Sequence, residues 1–119
     1  MHLSIYHNPN CSKSRKTLSL IKEQGIVPEV ILYLKNTLSS ENIIYLGEKL
    51  DLKIKDILRS SESEFKDAND LPDLNDNEAL SKWLEKHPKV IQRPIIINHE
   101  NGKAVIARPP ENLYTVLQK

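Results

Sequence analysis

The stretch His7-Asn8-Pro9-Asn10-Cys11-Ser12-Lys13-Ser14-Arg15 holds the single cysteine of the chain. An apolar run, Leu3 to Tyr6, ends just before it, and a segment with helical spacing follows it to about Gln24. A strand, a tight turn and a helix N-terminus can together activate a thiol. The first-turn N–H groups of a helix are unpaired, and the helix dipole places partial positive charge there. Both favour the thiolate, which is the nucleophilic form. Lys13, Arg15 and Lys16 add positive charge nearby, and His7 ends the strand beside the turn. A cysteine is often just a small buried hydrophobe. Polar, basic neighbours argue for a reactive one here.

Three arginines are the other candidates. Arg59 ends a short helical stretch, Arg93 precedes Pro94 at a strand start, and Arg108 precedes Pro109 at a strand exit. Ends of elements are where side chains can converge on a cleft, and arginine suits planar, multi-donor clamping of an oxyanion. The ordinary alternative for any one of them is a solvated surface charge. Spacing removes several other chemistries. Ser14 stands where a Cys-x-x-Cys redox motif needs its second thiol, and Thr17 stands where a Cys-x5-Arg phosphatase loop needs its arginine. One cysteine and four scattered histidines are poor material for a metal site, so no metal is expected. Three glycines leave no Gly-rich phosphate loop. His2, His87 and His99 sit at element ends, where solvation accounts for them, and Trp83 and the tyrosines fall at core or boundary spacing.

The elements that must position these residues can be read in order. Leu3 to Tyr6 is a short strand, the helix to Gln24 stops at Gly25, and Val30 to Leu34 is an apolar run expected of a strand covered on both faces. This is a βαβ unit with parallel strands. Ser39 or Ser40 caps a helix over Glu41 to Leu50, and Leu52 to Leu58 forms a turn or two that delivers Arg59. Ser60 to Asp73 reads as loop with a weak helix around Phe65. Asn75, with Glu78 three residues on, resembles a capping box opening a helix to about Lys86, stopped by Pro88. Ile95 to Ile97 and Lys103 to Ile106 flank Asn101-Gly102, an antiparallel hairpin signal, and Pro109-Pro110 suits the first turn of a closing helix.

At 119 residues the chain is long enough for one hydrophobic core, expected as a single domain over 1–119 with a helical insert at about 39–87. A net charge of +1 lends no support to a nucleic-acid or membrane function, so neither partner is expected. With one cysteine, no signal-peptide pattern and no long apolar stretch, the cytoplasm is the expected compartment. The order βαβ, helical insert, ββα matches an α/β, thioredoxin-like architecture with a mixed four-stranded sheet and its reactive cysteine at the start of the first helix. In that fold the proline opening the third strand is typically cis and lies next to the cysteine, so Arg93 is expected to face Cys11.

The sequence resembles the glutaredoxin-linked arsenate reductases. The resemblance is carried by Tyr6-His7-Asn8-Pro9-x-Cys11-Ser12-Lys13-Ser14-Arg15, Leu58-Arg59, Arg93-Pro94-Ile95 and Arg108-Pro109, and it runs nearly end to end. It is nearest to the small single-cysteine branch with Cys-Ser-Lys-Ser. The resemblance implies that Cys11 attacks arsenic in arsenate and that Arg59, Arg93 and Arg108 bind the oxyanion. It implies that His7 and the helix N-terminus lower the Cys11 pKa, with Ser14 as a hydrogen-bond donor to the sulfur. No bound cofactor is implied; glutathione is the co-substrate and glutaredoxin the protein partner. The need for an external thiol follows from the cysteine count alone. Two other functions stay open: a glutathione-dependent thiol oxidoreductase acting on another substrate, and an Spx-like regulator that binds RNA polymerase. The regulators typically carry a Cys-x-x-Cys switch, and Ser14 occupies its second position.

Overall fold

A computed structural model describes residues 2–36 and 38–118; Met1, Thr37 and Lys119 lie outside it. The described chain falls into two compact units, one made of its two ends (up to Asn36 and from Arg93) and one of the stretch between, which closes at Gln92.

The first unit is built on β1 (Leu3–Tyr6), α1 (Ser12–Glu23), β2 (Glu29–Ile31), β3 (Ile95–Asn98), β4 (Ala104–Ile106) and a closing 3-10 turn, Pro110–Leu113, that runs on into a short helix, Tyr114–Leu117. The sheet order is β2-β1-β3-β4, with β1 parallel to β2 and antiparallel to β3, and β3 antiparallel to β4. The sheet is therefore mixed and four-stranded. Leu3, Ile5 and Ile96 lie on one face by register and are fully buried against Ile21 of α1 and Leu113 and Val116 of the closing segment. Truncating any of these to alanine costs about 2–5 kcal/mol. Asn98, also buried, donates from Nδ2 to the Val116 carbonyl at 2.8 Å, which ties the hairpin to the chain's end. Gly25 stops α1 with φ at +76° and Gly102 turns the hairpin at +75°, both conformations that cost glycine little.

The expected second strand is shorter than its apolar run. β2 ends at Ile31; Lys35 and Asn36 then donate to the Leu32 carbonyl, folding the rest of the run into a turn. It is also an edge strand, with Val30 41% exposed, and not one covered on both faces. Tyr33 is buried from that turn, not from a strand.

The second unit holds α2 (Ser40–Leu50), a 3-10 turn at Ile54–Ile57, the single-turn α3 (Ser63–Lys66), α4 (Asn77–Lys86) and a 3-10 turn at Pro88–Val90. Ser39 caps α2 through a reciprocal pair with Asn42. The cap of α4 is Asp76, whose Oδ1 takes the Ala79 N–H at 3.1 Å, one residue later than the Asn75 expected. Asn75 instead accepts at Oδ1 from Lys55 Nζ at 3.0 Å, and its N–H donates to Asp73. α2 and α4 pack against one another, with Ile43, Leu46, Leu80 and Leu84 buried on them. His87 is not merely solvated: its ring stacks on Trp83 and its Nδ1 lies 2.9 Å from Glu64. No helix among the described residues is long and apolar enough to cross a membrane.

Candidate active site

Cys11 is the N-cap residue of α1, in extended conformation (φ −100°, ψ 122°). Its own N–H donates to the Asn8 carbonyl at 3.0 Å and its carbonyl takes the Arg15 N–H at 3.0 Å, so a tight turn leads straight into the helix. As N-cap residue, Cys11 places its sulfur beside the unpaired first-turn N–H groups of α1. Partial burial pushes the thiol pKa up. The Ser14 N–H, the Arg93 side chain and the Lys13 N–H hydrogen-bond the sulfur, and the Arg93 charge adds to them. The net result is a pKa below its ordinary value. Cationic and N–H donors outweigh desolvation here, as at other activated cysteines.

Arg93 thus meets Cys11, and the Arg93-Pro94 bond is cis. Arg108 reaches the backbone of Arg93: its guanidinium donates to the Arg93 carbonyl at 3.1 Å. The Arg108-Pro109 bond is cis as well, a second instance that the spacing did not suggest. Arg59 belongs to the second unit. There its N–H donates to the Val90 carbonyl at 2.6 Å and its guanidinium pairs with Glu62 at 3.2 Å.

His7 and Ser14 meet beside the thiol loop. His7 Nδ1 lies 2.6 Å from the Ser14 hydroxyl, and that hydroxyl also accepts the Asn8 N–H at 3.1 Å. Ser14 reaches the sulfur with its backbone, while its hydroxyl serves the loop. The His7 pKa is lowered by burial, by Arg15 and by Lys22, which keeps the ring neutral at pH 7. A neutral ring adds no positive charge to lower the thiol pKa. Its contact is with the Ser14 hydroxyl.

Two further residues shape the loop. Asn8 Oδ1 accepts the Asn10 N–H at 3.0 Å, an Asx turn that its Asn-x-Asn spacing could have suggested. Arg15 donates to the Pro9 carbonyl at 2.9 Å, a contact with no sequence signature. The Glu62 partner of Arg59 was readable from its i, i+3 spacing.

Fold and site together define a thioredoxin-like α/β protein whose single thiol stands at the N-terminus of its first helix. Comparison with known proteins narrows this. The ArsC family model matches residues 6–116. An arsenate reductase of Haemophilus influenzae is 40% identical over 119 residues, covering 98% of this chain and all of that one. The uncharacterized protein YfgD of Escherichia coli K12 is 39% identical, covering 97% and 96%. Among solved structures, an arsenate reductase from Vibrio cholerae superposes with a TM-score of 0.86 at 39% identity, covering 98% of each chain. The chain belongs to the ArsC family.

Proposed function

We propose that this protein is an arsenate reductase in which Cys11 is the nucleophile, Arg59, Arg93 and Arg108 bind the oxyanion, and glutathione with glutaredoxin supplies the electrons. One observation carries the reading: the only thiol in the sequence sits at a helix N-terminus with the Ser14 N–H and the Arg93 guanidinium on its sulfur. The names of its relatives support the choice of substrate.

The Cys11 thiolate attacks arsenic, a sulfur–arsenic bond forms, and one oxygen leaves as hydroxide that takes up a proton to become water. Arg93 and Arg108 stabilise the negative charge that builds on the oxygens. A glutathione thiolate then attacks the Cys11 sulfur. The sulfur–arsenic electron pair passes to arsenic, arsenite leaves, and a mixed disulfide remains. A second thiol, from glutaredoxin or another glutathione, frees Cys11 by exchange. Overall one arsenate and two thiols give arsenite, a disulfide and water. The 119 residues hold no second cysteine, so both thiols come from other molecules. A reduced thiol of this kind suits the cytoplasm.

The test is arsenate-dependent NADPH oxidation coupled through glutathione, glutaredoxin and glutathione reductase, comparing wild type with Cys11→Ser. Turnover in the first and none in the second is the expected result. A folded wild type with a reactive thiol but no arsenate turnover sinks the reading, and exchange with glutathionylated proteins then favours a thiol oxidoreductase.

A further inference from the structure

A cavity of about 80 Å³ lies against the thiol loop, with Asn8, Pro9 and Asn10 on one side and Leu32, Leu34 and Lys35 on the other. Asn10, which lines the cavity, is the residue before Cys11 in the thiol loop. The Asx turn at Asn8 and the two N–H donations onto the Leu32 carbonyl fix both walls. Lys35 is exposed, and no carboxylate pairs with it among the described residues. The arginines proposed to hold the oxyanion do not line this cavity.

We propose that this cavity receives a carboxylate-bearing arm of the reducing thiol, with Lys35 holding the carboxylate while that molecule's sulfur meets Cys11. The inference rests on the reading that glutathione is the electron donor. Glutathione is an anionic tripeptide whose thiol is central and whose two ends carry carboxylates, so sulfur on Cys11 places an end near the loop. Size limits which part can enter. At about 10–15 Å³ per water-sized group, the cavity takes about five to eight non-hydrogen atoms. That is room for a glycyl arm and not for the whole molecule. Leu32 and Leu34 suit its carbon atoms, and the ammonium suits its charge.

Charge distribution favours the same ligand. The net charge of +1 conceals a division between the two units. Residues 2–36 and 93–118 hold eight Lys and Arg against four Asp and Glu, whereas residues 38–92 hold eight against twelve. The thiol-bearing unit is the cationic one. An anionic thiol is drawn to it, more strongly at low salt.

Thiol–disulfide exchange tests this without arsenate. Reduced wild type, Lys35→Glu and Lys35→Arg are each mixed with glutathione disulfide or with uncharged hydroxyethyl disulfide, and the rate of mixed-disulfide formation on Cys11 is followed by mass spectrometry. The preference for glutathione disulfide is expected to fall about fivefold or more in Lys35→Glu, the scale of a reversed exposed ion pair. Lys35→Arg should keep it. An unchanged preference in Lys35→Glu overturns the proposal, as does an equal slowing with both disulfides, which would make Lys35 a support of the loop. Failure of the arsenate reading appears separately, as absent turnover with any thiol.

Discussion

The Ser14 hydroxyl is 2.6 Å from His7 Nδ1, and the same serine's backbone N–H is turned to the sulfur of Cys11. One residue thereby joins the end of β1 to the start of α1 and feeds the thiol a hydrogen bond. Side chain and backbone have separate duties, so they can be disturbed separately.

Removing the Ser14 hydroxyl strands a buried N–H at Asn8 and the His7 ring nitrogen. Ser14→Ala is expected to lower stability in urea denaturation by about 1–3 kcal/mol. The N–H of residue 14 survives, so the Cys11 alkylation midpoint should rise less than in Arg93→Ala.

Arg93→Ala withdraws both a hydrogen bond and a charge from the sulfur. The alkylation midpoint should move up in pH, and kcat/KM for arsenate should drop by about 10² or more. Near-wild-type kinetics would remove Arg93 from the mechanism.

The lowered pKa of His7 carries a pH dependence with a definite sign. Below about pH 6.5 the unfolded chain binds a proton that the folded ring resists, so stability falls as pH drops from there towards the folded pKa. His7→Gln should flatten this part of the stability curve. Cys11 acts at the other end: its thiolate is favoured in the fold, so stability rises with pH until the unfolded thiol also ionises near pH 8.5. Cys11→Ser should lack that rise in a denaturation series from pH 6 to 9.

Glu62 sets part of the charge around Arg59. If Arg59 holds arsenate, Glu62→Gln should reduce KM for arsenate by about two- to fivefold and Arg59→Ala should raise it. Steady-state kinetics at fixed glutathione separates the two, and equal KM values in all three proteins would exclude Arg59 from substrate binding.

What the sequence made legible followed from local rules. The joint of β1 and α1, the Gly25 stop, a serine cap at 39 or 40 and the Asn101-Gly102 hairpin each depend on a few adjacent residues. Where distant partners compete, local rules failed. The run from Val30 to Leu34 has strand composition, yet only Val30 and Ile31 of it pair with β1, and Leu32 starts a turn. Asn75 had the right spacing for a cap, yet Asp76 takes the Ala79 N–H and Asn75 accepts from Lys55, twenty residues away. Cys11 and its polar setting were visible, whereas the division of labour within Ser14 depends on how His7 and Asn8 pack.

The sheet's order puts its two shortest strands, β2 and β4, on its rims. Each presents three residues, and Pro28, just ahead of β2, has no N–H to offer. A neighbouring chain seeking to extend the sheet finds too short a template on either side to seed a lasting ladder. Extension of the folded sheet by a neighbouring chain is thereby discouraged at both borders.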